Sequence, residues 1–400
     1  MTAMTVMHAS AAADASRTDS DPEQAFTQQV RAFLRRALSP ELQAAGRATI
    51  GTHSRIEASR EWHRRLYRQG WIAPAWPREH GGTGWTARQR LIFDRECAAQ
   101  DAPVLSAAGI RNVGPLLIAE GSPAQQRYFL PRILNGDILW CQGYSETGAG
   151  SDLARLQTRA VCEGDHYRVN GTKLWTTGAQ YANWMFALVR TDTAARPQAG
   201  ITFLLIPMNS PGIQVRPVVT LYGEAEFNEV TFDDVRVPVA NRVGDQDDGW
   251  RVAKQLMVHA RASNTTCALL QRTLKRVREA FATAPADASA QLQGRLVELE
   301  LRLTAIERLE YAASHPDAEA RAHHASLMKL QATELHQAMT EVLLELSGYP
   351  ALEQWQQEPD LLASAGPYAS AKYLATRAAS IYSGTNEVHR NLLARHLGAP

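Results

Sequence analysis

At 400 residues with 45% apolar side chains, the chain has room for two or three domains and a sizeable core. Its 42 basic and 41 acidic residues leave a net charge of +1, which removes the electrostatic case for a nucleic-acid or anionic-membrane partner. Cys97, Cys141, Cys162 and Cys267 lie far apart with no CxxC spacing, so a reduced protein without a zinc site is expected.

Residues 1–21, MTAMTVMHASAAADASRTDSD, are small, polar and unpatterned. They lack a basic segment followed by an apolar one, so they read as a disordered tail rather than a secretory signal. No apolar run approaches the roughly 18 residues of a membrane span, and a cytoplasmic location is the default expectation.

Residues 22–138 carry a helical period. Phe26, Val30, Phe33, Leu34 and Leu38 recur at three- and four-residue steps, and Leu91–Ala99 and Pro115–Leu134 continue the pattern. The Pro- and Gly-rich WPREHGGTGW separates these helices. Between 139 and 242 the period changes to that of strands. HYRVNGTKLWTT holds an Asn-Gly pair between alternating segments, which predicts a hairpin turn. NWMFALVRT, ITFLLIPM, IQVRPVV and FNEVTFDDVRVP extend this β domain. From 243 to 400 the helical period returns, with one stripe of Trp250, Ala253, Leu256 and Ala260 and another of Leu327, Leu330, Leu335, Met339, Val342 and Leu346. The expected architecture is an N-terminal helical domain, a central barrel-like β domain and a C-terminal four-helix bundle, an α+β multidomain chain.

Three stretches could carry chemistry. CQGYSETGAGSD (141–152) combines glycines, which let backbone N–H groups approach a ligand, with the hydroxyls of Ser145, Thr147 and Ser151; an ordinary interdomain loop is the plain alternative. KLWTTGAQYANW places Trp175 beside Thr176 and Thr177 at a strand end, where it either joins the core or stacks on a ring system. IYSGTNEVHR (381–390) interrupts a stripe of Ala371, Leu374, Ala378 and Ile381. Gly384 is a natural terminator, and Thr385 or Asn386 can cap a following helix whose start would face an anion or carbonyl oxygen. A plain interhelical turn accounts for the same residues.

Taken together, GGTGW, LPRILNGDILWCQGYSETGAGSDLA, VNGTKLWTTGAQYANW, FDDVRVP and IYSGTNEVHRNLLARHLG, in this order, resemble the acyl-CoA dehydrogenase family over nearly all of residues 22–400. The closest likeness is to the branch with CQGYSE and GTNEV signatures, which includes subunits of mixed-subunit enzymes. The resemblance implies FAD between the β domain and the C-terminal bundle, and a CoA-thioester substrate. By position, Gln142, Tyr144, Ser145, Trp175 and Thr177 would line the flavin, with Thr385 and Glu387 on its phosphate or adenine side. Ser151 would contact the CoA moiety, and Arg261 matches a family arginine near the active site. A homo-oligomer (dimer or tetramer), or a hetero-oligomer with a homologous subunit, is implied likewise.

The chain departs from the pattern where it matters most. The family's α-proton is weakly acidic, so a glutamate removes it while hydrogen bonds stabilise the developing enolate. That glutamate usually stands immediately before the glycine of the IYxGT turn or immediately before the arginine matched by Arg261. Here those positions are Ser383 and Ala260. The backbone N–H of Ser383 is still able to hold a thioester carbonyl, but neither side chain is a base. Glu146, His259, Glu387 and the trio Glu224, Glu226 and Glu229 read as a loop acid, a solvated or hydrogen-bonded histidine, a helix-start acid and a solvated loop respectively. Leu344 and Ser347 replace the Gln and first Gly of a QxxGG signature that reaches a neighbouring subunit's cofactor, and an RxxFG signature is absent near 270–285. The expected activity is oxidation of a thioester with an unusually acidic α-proton, or O2-dependent oxygenase chemistry. The alternative is a non-catalytic or partner subunit of a mixed-subunit enzyme.

Overall fold

The computed structural model describes residues 22–193, 196–261, 266–312, 318–348, 351 and 365–398; the 1–21 tail lies outside the described residues. The first block is helical: α1 (Pro22–Ala37), α2 (Pro40–Arg47), α3 (Ile56–Gln69), α4 (Ala87–Ala99), a π-helical turn at Ala108–Val113, α5 (Gly114–Glu120) and α6 (Pro123–Asn135). Capping boxes at Thr86/Gln89 and Ser122/Gln125 start α4 and α6 by satisfying helix N–H groups that have no partner within the helix. The stripe read in α1 is buried at Phe26, Val30, Phe33 and Leu34. Edge-to-face contacts join Phe33, Trp71, Trp85 and Phe93 behind it.

Strands β1 (Trp140–Gly143), β2 (Arg159–Glu163), β3 (His166–Lys173), β4 (Trp184–Arg190), β5 (Ile201–Pro207), β6 (Ile213–Val218), β7 (Phe227–Pro238) and β8 (Arg242–Val243) follow. They form one sheet in the order β6-β7-β3-β2-β4-β5-β8, with β1 parallel to β4. β4 and β5 are buried on both faces, which is why they read as unbroken apolar runs, whereas β7 alternates. The Asn170-Gly171 pair is not a hairpin turn. Both residues lie inside β3, where the register against β7 shifts. Gly171 has φ 142°, and a Cβ there would meet the Thr158 Cα at 2.7 Å, so glycine serves a bulge and a close backbone approach. The turn joining β2 to β3 holds Gly164 instead, at φ 69°.

Helices α7 (Gly249–Arg261), α8 (Cys267–Thr283), α9 (Ala286–Ala312), α10 (Ala318–Ser347), α11 (Ala365–Thr376) and α12 (Asn386–His396) complete the chain. A second core gathers Leu270, Leu274 and Val277 of α8, Leu299, Leu303 and Ile306 of α9, and Leu335, Met339 and Val342 of α10. Two buried cations tie this block to the first through backbone carbonyls. Arg272 donates to the Gly46 and Ala102 oxygens at 3.1 and 2.7 Å, and Lys372 donates to the Ile50 oxygen at 2.7 Å. Ile381, read as part of the buried stripe, is 64% exposed, because α11 passes into a 3-10 turn at Arg377–Ser380 and the helical phase is lost before 381.

Candidate active site

The loop after β1 is fastened from beneath. Lys173, fully buried at the end of β3, donates to the Tyr144 carbonyl at 3.2 Å and to the Glu146 carboxylate at 2.7 Å. Glu146 also accepts the N–H groups of Gln157 and Thr158. Burial pulls the Lys173 ammonium down to about 8 against the attraction of Glu146. Burial pushes the Glu146 carboxyl up, but Lys173 and these hydrogen bonds outweigh it and hold it below the usual carboxylate range. Glu146 is thus an anchor and not a base.

The anchor brings two of the sequence stretches together. The Leu174 N–H donates to the Ser145 carbonyl at 2.8 Å, so the loop and the end of β3 form one edge. Trp175 follows with φ 62°, a left-handed conformation that a bulky residue adopts at a cost of about 1–3 kcal/mol. Its ring is 56% exposed and touches Phe227 edge-on at 6.0 Å. It therefore stands as an open platform instead of joining the core. Gln142, Ser145 and Thr177 are half-buried. Tyr144 differs: its ring is buried edge-on against Phe186 and Phe203, and its hydroxyl has no partner among the described residues. Its backbone, not its ring, belongs to the loop edge. Ser151 is exposed beyond the loop.

In the third stretch Ser383 has φ 59° and Gly384 φ 88°, two successive left-handed residues that reverse the chain. Thr385 then caps α12 by accepting the Val388 N–H at 3.2 Å. His389, fully buried, closes the turn at 3.2 Å from the Ser383 carbonyl. Asn386 is buried and accepts from Lys329 at 2.9 Å, while Glu387 is exposed. The Glu387 carboxyl is held below its usual range by its own backbone N–H and the Thr385 hydroxyl, as expected of an acid at a helix start. Position 260 lies in the last turn of α7, and the side chains of His259, Ala260 and Arg261 lie outside the described residues.

A residue read as solvated links these parts. Glu226 is buried at 8% exposure, accepting from the Thr52 N–H at 2.6 Å, from the Thr52 hydroxyl and from Tyr222 at 2.5 Å. Its backbone carbonyl accepts the Gly178 N–H just past Thr177. Glu226 therefore joins the α2–α3 connection to the Trp175 segment. Three donors already occupy the carboxylate, so its part is to fix the walls. The signal for this was strand parity: Asn228, Val230 and Phe232 are buried in β7, and Glu226 shares their side.

An aromatic platform, a hydroxyl-edged glycine loop and a capped helix start, carried on helical, sheet and helical blocks, define the acyl-CoA dehydrogenase fold. The family models for the N-terminal, middle and C-terminal domains of acyl-CoA dehydrogenase match residues 20–137, 141–235 and 247–398. Acyl-CoA dehydrogenase IpdE1 of Mycobacterium tuberculosis is 38% identical over 389 residues, covering 94% of this chain and 97% of the relative. Acyl-CoA dehydrogenase FadE26 of the same organism is 34% identical over 393 residues, with the same coverage of 94% and 97%. Among solved structures, the ChsE4-ChsE5 complex of M. tuberculosis shares 32% identity at a TM-score of 0.79, covering 96% of this chain and 100% of that one. The Tcur3481-Tcur3483 steroid ACAD shares 27% at a TM-score of 0.79, covering 94% and 97%. The chain belongs to the acyl-CoA dehydrogenase family, whose members are FAD-dependent oxidoreductases. Among the described residues no helix is long and apolar enough to cross a membrane, and no group of three or more His, Cys, Asp or Glu could hold a metal ion.

Proposed function

We propose that this protein binds FAD and oxidises a CoA thioester whose α-proton is already acidic, on a polycyclic, steroid-derived acyl group. The observation that carries the reading is the turn at Ser383: its left-handed backbone and Thr385 cap are kept while the side chain is not a base. The steroid class is suggested by the solved relative Tcur3481-Tcur3483, a steroid ACAD. The residues present fit a flavin. Trp175 offers a flat, exposed ring held in a strained backbone, and Ser145, Thr177 and the loop N–H groups offer hydrogen bonds to a polar edge.

When bound, the flavin supplies the acceptor for the β-hydrogen and its electron pair. Trp175 would stack on it, with Gln142, Ser145, Thr177 and the Tyr144 backbone along its edge. Thr385 and the start of α12 suit a phosphate or another anion. The backbone N–H of Ser383 would hold the thioester carbonyl, favouring the enolate that forms as the α-proton leaves. A positioned carboxylate is worth ~10²–10⁴ in rate, so its replacement by Ser383 selects substrates that need less help.

A second reading is favoured by the solved neighbours being two-protein assemblies: a homologous subunit completes the enzyme. The purified chain, alone and then with a homologous subunit, is mixed anaerobically with polycyclic and straight-chain CoA thioesters while flavin absorbance is followed. Bleaching by the chain alone supports the first reading, and bleaching only with the partner supports the second. Absence of bound FAD in both preparations refutes both. Oxygen uptake with an oxygenated product would assign oxygenase chemistry in place of simple dehydrogenation.

A further inference from the structure

The corner at Ser383 and Gly384 presents a backbone N–H, and a donor is useful only if its direction is fixed. Two successive left-handed residues, at φ 59° and 88°, do not fix themselves. A residue other than glycine stays in that region only where its surroundings over-determine it. The restraint therefore comes from whatever packs on the corner, and the structure shows what that is.

His389, in the first turn of α12, is fully buried. Its main-chain N–H donates to the Thr385 carbonyl at 3.0 Å. Its ring Nε2 lies 3.2 Å from the Ser383 carbonyl. A carbonyl oxygen only accepts, so this nitrogen carries the hydrogen and donates. One residue thus grips the carbonyls on both sides of Gly384. The ring also lies against Gly384 itself, where a Cβ would meet Nε2 at 3.0 Å. The helix that carries His389 is anchored from elsewhere. Asn386, its first residue, accepts from Lys329 at 2.9 Å and from the Thr333 hydroxyl at 3.2 Å, two buried side chains of α10. The grip on the corner is therefore referred to the bundle and does not wait for a ligand.

We propose that His389 is a positioning residue: through the Ser383 carbonyl it aims the Ser383 N–H at the thioester carbonyl before the substrate arrives. This rests on the thioester reading above. The Ser383 carbonyl belongs to the planar peptide that follows its Cα, and the N–H to the one that precedes it. Pinning the first plane while φ stays left-handed sets the direction of the second. A donor fixed in advance costs no reorganisation as charge develops on the thioester oxygen. With no carboxylate at 383, this N–H is what the position still contributes to the enolate, so its alignment decides how much the position is worth.

The test is equilibrium binding to the FAD-loaded protein, read by calorimetry, of a polycyclic CoA thioester and of the matching CoA thioether, which lacks only the carbonyl oxygen. The unaltered protein should bind the thioester about three- to tenfold more tightly, the worth of one uncharged hydrogen bond. His389→Met, which fills space but cannot donate, should abolish that preference by weakening the thioester, with thioether affinity and flavin content unchanged. His389→Gln, whose amide N–H can donate to the same carbonyl, should keep most of it. A histidine that merely packs would weaken both ligands together or shed flavin, and glutamine would restore nothing. A full preference in His389→Met, or equal weakening of both ligands, overturns the proposal. If the methionine variant does not fold, the glutamine variant decides: a retained preference supports the proposal and a lost one overturns it. Equal affinity of the unaltered protein for both ligands overturns it while leaving the thioester reading intact. Failure of both ligands to bind overturns the thioester reading and this proposal with it.

Discussion

Replacing Lys173 by methionine tests whether the loop edge is held as described. The ammonium and the Glu146 carboxylate lie 2.7 Å apart, with the lysine side chain fully enclosed and the glutamate side chain 9% exposed. At an effective dielectric of about 20 their attraction is ~6 kcal/mol, and the cost of taking both charges out of water offsets much of it. Removing one partner leaves the other charge enclosed, which typically destabilises by ~3–5 kcal/mol. Glu146 retains the Gln157 and Thr158 N–H groups, so the lower end, ~3 kcal/mol, is expected. Urea unfolding followed by fluorescence and flavin content after gel filtration are the assays. Lys173→Met should unfold earlier and lose flavin, because Tyr144 and Ser145 are released together with Glu146. Adding Glu146→Gln should recover roughly half of the stability, since the amide removes the uncompensated charge and its one oxygen still accepts from one of those two N–H groups. A Lys173→Met variant within ~0.5 kcal/mol of the unaltered protein and retaining its flavin would refute the reasoning.

Ser383→Glu should raise the rate of flavin reduction by straight-chain acyl-CoA by ~10²–10⁴, because the existing backbone accepts a side chain at φ 59° and gains the missing base; an unchanged rate in a variant that binds flavin and thioester would exclude a base role for that position. Lys372 supplies a pH-dependent difference. Burial, with Arg272 adding to it, lowers its ammonium to about 8, below the unfolded value of about 10.4. The unfolded chain therefore binds more protons between those values, and this lysine's contribution to stability rises with pH. The stability of the unaltered protein minus that of Lys372→Met should increase by ~2 kcal/mol from pH 7.5 to 9.5. Enclosed thiols such as Cys141, pushed up by burial, act in the opposite direction but equally in both proteins. A flat difference in denaturation midpoints would contradict the burial of Lys372.

The order of helical, sheet and helical blocks was legible because apolar periodicity is imposed locally, as the α1 and α10 stripes show. What was misread depended on contacts distant in sequence. Asn170-Gly171 has turn chemistry, but the Thr158 backbone pressed against Gly171 makes it a bulge. Glu226 looked solvated because two other acids flank it; the donors that bury it come from Thr52 and Tyr222. Trp175 could not be assigned to platform or core until its left-handed backbone was seen.

The left-handed backbone at Ser383 also bears on how such a pocket can diverge. Because the strain belongs to the main chain and is already borne by a residue other than glycine, replacing one unbranched side chain at this place exchanges reactivity without rebuilding the scaffold. Lineages sharing this corner are thus free to trade proton abstraction for substrate selectivity at one residue.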